Sequence, residues 1–442
     1  MKPWGKISEF VVQTSLEKLP AAVIDQAKLV LMDTLGAMLA GSRVDPIPNL
    51  VLRSKKGAAT IAGHSALADP FWAALVNGIS AVALEMDEGN QFAKGHPAAH
   101  VVPAALAWAE QEGASGRQVL ESLVVGYEVA ARVGAGTSLR PEVHPHGTWG
   151  TIGAAVAVAK LRGFSASQVH QTIQVGGLLS LATAWKTALE GASVRNIYTG
   201  LSNHLGLLST EFVLAGFQGS EASLESVFGQ VISTGFCADT LTRDLGNIYQ
   251  INNNYFKLYS CCRYNHAALD ALEEILAAHP VTFEQVDAVK VETYDLAAQL
   301  ADQQPGNVLA AKFSIPFALA AYLVRGNAGL HSFTDETLGD IRIRELARRV
   351  FVRENPEMTA MLPEKRPARV ILCLQDGRQL SHTVFSSRGG FDRPYQLETL
   401  REKFRQLAGE AIGGEAAEKL ITVCQQIEGL EDIRELTVLL RP

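Results

Sequence analysis

Residues 148–163 read TWGTIGAAVAVAKLRG. The run is so rich in glycine and alanine that neighbouring backbones can approach it closely, and a helix of that kind belongs in the centre of a bundle. Two longer helical patterns precede it. AAVIDQAKLVLMDTLGAMLAG ends at Gly41, whose missing Cβ suits a left-handed C-cap, and SGRQVLESLVVGYEVAARVGAG begins at Ser115, a suitable N-cap. From Ile7 to about Lys257 apolar residues recur at three-and-four spacing, broken at glycine or proline. The chain is 47% apolar with only 7% aromatics, which favours close helix packing over β-sandwiches. The expected fold class is mainly α.

The pattern changes after FKLYSCCRYNHAALDALEEILAAH. DAVKVETYDLA alternates as a half-buried strand does, and RVILCLQDGRQLSHTVF reads as two strands around a tight turn at Asp376 and Gly377. Between them KFSIPFALAAYLVRG and RIRELARRVFV read as helices, so residues 260 to 392 form a smaller α+β region. Helical patterns return beyond Pro394. A chain of 442 residues exceeds one ordinary core, and two domains are expected.

Composition excludes several partners. A net charge of −7 offers no basic excess to neutralise a row of phosphates, so nucleic acid is not an expected partner. No apolar run reaches the ~20 residues needed to cross a bilayer, so no membrane partner is expected either. The five cysteines form neither a disulfide framework nor a CxxC metal knuckle. With no charged-then-apolar leader, the expectation is a reducing cytoplasm.

Four polar interruptions break the helical part: MDEGNQFAKGHPAAH, RPEVHPHGTWG, GASVRNIYTG and FKLYSCCRYNH. Together they offer Asp87, His96, His146, Arg195, Lys257, Arg263 and His266. If they converge, arginine can grip a carboxylate and histidine can move protons. Each has a plainer reading. His96 and His100 stand four apart, as metal ligands on one helical face would, but Pro97 fits a first helical turn and would point His100 into the helix. His144 and His146 suit a satisfied turn, Arg195 a helix cap, Lys257 a snorkelling surface position, and Cys261 and Cys262 an inert core. No GxSxG elbow, Walker loop or GxGxxG opening a helix is present.

Taken in order, MDEGN, GHPAAHVVPAALAWAE, HPHGTWGTIGAAVAVAKLRG, VRNIYTGLSNHLGLLSTEFVLAGFQG, FKLYSCCRYNHAALDAL and KFSIPFALA resemble the MmgE/PrpD family. The resemblance implies an all-helical domain, 1–258 with 393–442, and an α+β lid domain, 259–392. It also implies a homodimer, no metal and no organic cofactor, and a site for a small carboxylate substrate in the crevice between domain and lid. Carried over position by position, it marks Asp87, His96, His146 and His266 as catalytic, with Asn90, Arg195, Lys257 and Arg263 binding substrate. In this family decarboxylase-like members carry lysine where this chain has Arg195, and tyrosine where it has Phe317. Dehydratase- and decarboxylase-like members also tend to place threonine soon after the aspartate, where Glu88, Gly89 and Asn90 stand here.

The shared chemistry is removal or delivery of a proton on a carbon beside a carboxylate, with cations holding the charge that develops. Arginine stays protonated and phenylalanine carries no proton, so neither replaces lysine or tyrosine as an acid/base. Three histidines without a leaving-group acid at position 317 point to an epimerase of an aminodicarboxylate such as iminodisuccinate. The alternatives are a lyase that dehydrates or decarboxylates a citrate-like acid, and a carboxylate-binding dimer without catalysis.

Overall fold

The structure, a computed structural model, describes residues 2–442. The chain forms two compact units. One is built from Met1–Trp185, Val194–Tyr255 and Gln396–Pro442, the other from Lys186–Ser193 and Phe256–Tyr395.

The first unit contains helices α1 (Ala21–Gly41), α2 (Pro70–Ala83), α3 (Pro97–Glu112), α4 (Gly116–Gly136), α5 (Gly150–Leu161) and α6 (Val194–Leu214). The glycine- and alanine-rich α5 is its centre, packed against α3, α4 and α6, with every residue from Gly150 to Ala159 buried. Small residues make this possible: a Cβ on Gly153 would lie 2.6 Å from the Ala130 side chain of α4. Ser115 and Gln118 close a capping box at the start of α4. Gly41 does not form the expected left-handed cap, since α1 runs on into a right-handed turn at Ser42. Glycine is required there for another reason, because a Cβ would fall 1.9 Å from the Ser80 carbonyl oxygen of α2.

Pro103 lies inside α3, where it cannot donate to the Ala99 carbonyl. Asn203 of α6 repairs the break. Its Nδ2 donates to Ala99 O at 3.0 Å, and its Oδ1 accepts from Ala104 N at 2.9 Å. The first turns of α3 are thereby locked to α6.

The second unit carries α7 (Arg263–Ala278), β1 (Val286–Thr293), α8 (Ile315–Arg325), β2 (Val350–Glu354), β3 (Ala368–Leu374) and β4 (Gln379–Val384). The sheet order is β4-β3-β1-β2, with β1 and β2 parallel and the other pairs antiparallel. Helix α7 covers β3 and β4. RIRELARRVFV is helical only to Ala347. Val350 and Val352 are β-branched and pair with Val289 and Val291, so the end of that segment is strand β2 instead.

Lys186–Ser193 was expected in the helical domain and belongs to the second unit. Its helical turn Lys186–Leu189 packs on Val308–Lys312, and Asn307 Nδ2 donates to Glu190 O at 2.9 Å. After β4 the chain returns to the first unit through α9 (Leu397–Ile412), which packs on α1, and α10 (Gly414–Gln425). Among the described residues no helix is long and apolar enough to cross a membrane.

Candidate functional site

The loop joining α2 to α3 concentrates the polar groups of the first unit. Its sequence cannot be helical, because Glu85 and Lys94 take positive φ values of 55° and 58°, a conformation uncommon outside glycine. Asn90 organises it. The Asn90 Oδ1 accepts from the Phe92 and Ala93 backbone N–H groups at 3.0 Å each, and Nδ2 donates to Gln250 O at 2.8 Å. A two-residue ladder pairs Gly89–Asn90 with Asn254–Tyr255, which brings the Tyr255 ring over Gly89.

The loop buries two consecutive acids, Asp87 and Glu88, that sequence reasoning treats unevenly. Asp87 Oδ2 lies 2.9 Å from His96 Nδ1, and the Glu88 carbonyl oxygen lies 2.6 Å from the same nitrogen. With two acceptors on Nδ1, the proton of neutral His96 sits there, and Nε2 keeps its lone pair. The Glu88 carboxyl turns away, accepting from Tyr127 Oη at 2.5 Å and from Ala98 N at 3.3 Å. Burial pushes this carboxyl up to about 8, which favours its neutral form.

Four imidazoles gather beside it. The rings of His96 and His146 meet edge to face at 5.1 Å between centroids, His146 and His100 at 5.1 Å, and His146 and His144 at 4.6 Å. His96 alone among them retains appreciable contact with solvent, at 9%. Thr199 Oγ1 lies 2.9 Å from His146 Nδ1, and the His146 backbone N–H donates to His144 Nδ1 at 3.0 Å. Burial first, and the positive charge of Arg195 second, hold His144 and His146 well below the ordinary histidine range. His100 falls to about 3, again chiefly by burial. Glycine at position 150 makes room for it, since a Cβ there would sit 2.4 Å from the imidazole Cγ.

Arg195, at the start of α6, is buried and its guanidinium lies 2.5 Å from Glu85 Oε1. It also donates to Val82 O at 3.3 Å. The cation therefore faces a fixed carboxylate as well as the histidine cluster, with Nε 3.4 Å from His144 Nε2.

The remaining expected residues lie in the second unit. Lys257 is fully buried. Arg263 donates to the carbonyls of Arg388 at 2.8 Å and Ser387 at 3.1 Å, and its Nη1 lies 3.3 Å from His266 Nδ1. His266 Nε2 in turn lies 3.2 Å from Cys261 O, so both its nitrogens face protein partners. Thus Asp87, His96, His146 and Arg195 come together in one unit, with Asn90 in the same loop, and the other unit holds Lys257 and the Arg263–His266 pair.

Several site residues escaped the sequence reading. Glu85 directly follows an apolar helical run and Tyr127 sits within one, and His100 and His144 were noticed only as alternatives. Asp33 and Lys403 form a buried pair at 2.5 Å, and Lys403 Nζ also donates to Met86 O at 2.7 Å. The available signal was a lone charge on an apolar stripe, as with Lys403 among Leu400, Phe404 and Leu407. No group of three or more metal-ligating side chains is assembled among the described residues.

Comparison with known sequences decides the lineage. The MmgE/PrpD N-terminal domain matches residues 5–238 and the MmgE/PrpD C-terminal domain residues 259–428. The chain belongs to the MmgE/PrpD family. It is an enzyme of that type, and its curated relatives carry the names of lyases. It is 24% identical to the cis-aconitate decarboxylase-like protein oryM of Aspergillus oryzae, over 99% of this chain and 96% of the relative. It is 23% identical to cis-aconitate decarboxylase of Aspergillus terreus, over 99% and 95%. A probable 2-methylcitrate dehydratase of Saccharomyces cerevisiae is 23% identical over 90% and 84%. Within this MmgE/PrpD chain, both family domains carry expected site residues.

Proposed function

We propose that this MmgE/PrpD protein is a lyase acting on a small di- or tricarboxylate, by decarboxylation or dehydration at a carbon beside a carboxylate. The observation that carries the reading is the Asp87–His96 pair. The Glu88 carbonyl, 2.6 Å from Nδ1, fixes the Nδ1–H tautomer, the Asp87 carboxylate 2.9 Å away steadies an imidazolium, and Nε2 faces the reaction as a base or, once protonated, as an acid. In dehydration Nε2 would take the proton as the C–H bond breaks, and the imidazolium would then hand that proton to the departing hydroxide, which leaves as water as the C–O bond breaks. In decarboxylation the C–C bond breaks, carbon dioxide departs, and the product carbon receives the imidazolium proton. The names of the relatives favour these outcomes over the epimerisation expected from Arg195 and Phe317.

Arg195 is the cation nearest the imidazole cluster, with Nε 3.4 Å from His144 Nε2, and burial first and that charge second keep His144 and His146 neutral, which supports a carboxylate-binding reading in which Arg195 meets the substrate. Asn90 holds the loop in this reading, and the family resemblance assigns Lys257 and Arg263 to substrate binding and His266 to catalysis. The test is incubation with cis-aconitate, 2-methylcitrate and related acids, following carbon dioxide and new unsaturated product. Turnover of either kind at roughly 1 s⁻¹ or more supports the lyase. Loss of optical rotation with solvent exchange and no elimination product would restore the epimerase, and binding without chemistry would favour the non-catalytic dimer.

A further inference from the structure

Lys403 lies on α9, more than three hundred residues from the loop it touches, and is 3% exposed. Its ammonium is 2.5 Å from Asp33 Oδ1 of α1 and donates to the Met86 carbonyl oxygen at 2.7 Å. Met86 is the residue before Asp87. On the other side of Asp87, the Glu88 carbonyl binds His96 Nδ1 and the Glu88 side chain is held by Tyr127 and Ala98. The residues on both sides of Asp87 are therefore held, Met86 through its carbonyl and Glu88 through its carbonyl and its side chain.

A buried ion pair is weak evidence for stability, since well-packed apolar residues of similar volume are often as stabilising. The surrounding stripe of α9, Leu400, Phe404 and Leu407, shows that apolar residues suit this face. A charged pair here needs a reason beyond packing, and the donation to Met86 O supplies one. We infer that Lys403, oriented by Asp33, is a positioning residue that aims the Asp87 carboxylate at His96 Nδ1. The inference deepens the functional reading above and rests on it for its effect on turnover, but its geometric content stands apart.

The experiment separates the two. The ¹⁵N resonances of His96, assigned by comparison with His96→Gln, report which ring nitrogen carries the proton and need no substrate. Wild type should show a single Nδ1–H tautomer. Lys403→Met should give mixed tautomers, Asp33→Asn a smaller change, and Lys403→Arg, which keeps charge and donors, the least. In parallel, kcat should fall at least tenfold in Lys403→Met with KM changed less than threefold. A folded Lys403→Met with wild-type His96 resonances overturns the inference. If that variant does not fold, wild-type resonances in Asp33→Asn overturn it equally. A wild type that turns over no carboxylate would sink the lyase reading and leave the tautomer measurement standing.

Discussion

The Oδ2 atom of Asp87 lies 2.9 Å from Nδ1 of His96, and both side chains are held by a loop whose backbone is fixed at Asn90. The Glu88 carbonyl, 2.6 Å from the same nitrogen, assigns the proton on His96 to Nδ1 and leaves the chemistry to Nε2, with the Asp87 charge beside it.

Asp87→Asn keeps the shape of the side chain and removes its charge, so the imidazolium loses its partner. By analogy with other carboxylate–histidine pairs, kcat should drop by roughly 10² to 10⁴ with KM little altered. Steady-state kinetics on a variant with wild-type circular dichroism checks this. An unchanged kcat would remove Asp87 from the reaction.

Stability should peak near pH 6.5 as far as the buried loop cluster controls it. His100, His144 and His146 have folded-state values below the ordinary 6.5, so their contribution is present above that pH and lost as pH falls towards the folded values, about 3 for His100. Three protons bound on unfolding correspond to a slope of up to about 4 kcal/mol per pH unit. Glu88 works in the opposite sense. Its value is raised from 4.5 to about 8, so its contribution is present below pH 4.5 and lost as pH rises towards 8. Urea midpoints from pH 5 to 8.5 should show the maximum, and Glu88→Gln should flatten its alkaline side.

Much of this fold is legible in the sequence, and the reasons for the exceptions are physical. The central place of α5 follows from its small residues, and the loop at 86–100 stands out because polar groups interrupt apolar helices. Local signals fail where a partner lies far along the chain. Nothing near Lys403 reveals Asp33, and nothing near Glu190 reveals Asn307. RVFV has the spacing of a helix end, and only pairing with Val289 and Val291 makes it a strand. Gly41 shows a subtler limit: glycine was expected from turn geometry, whereas the structure requires it for the approach of Ser80.

Arg195→Met should leave Glu85 as a buried carboxylate without its closest cation. Removing one partner of such a pair costs about 3–5 kcal/mol, and the double variant Arg195→Met with Glu85→Gln should regain most of it. Chemical denaturation measures both. Equal losses in the single and double variants would show that the pair is not coupled.

Gly150→Ala places a methyl group 2.4 Å from His100 Cγ at the tightly packed start of α5. Overpacking of this kind costs about 1–3 kcal/mol. Thermal unfolding should report the loss, and activity should fall more than stability alone explains because His100 packs on His146. A variant as stable and active as wild type would show that the imidazole has room to move.

The most direct test of the account is turnover of a decarboxylated or dehydrated tricarboxylate in deuterated water by wild type and by His96→Gln, read by mass spectrometry. A decarboxylating wild type should release carbon dioxide and place one deuterium on the product carbon. A dehydrating one should yield unsaturated acid and wash deuterium into recovered substrate beside the carboxylate. His96→Gln, folded and with wild-type circular dichroism, should do neither above roughly 10⁻² of the wild-type rate. If the glutamine variant turned substrate over at the wild-type rate, the proton would be moved by another group and the central assignment would be contradicted.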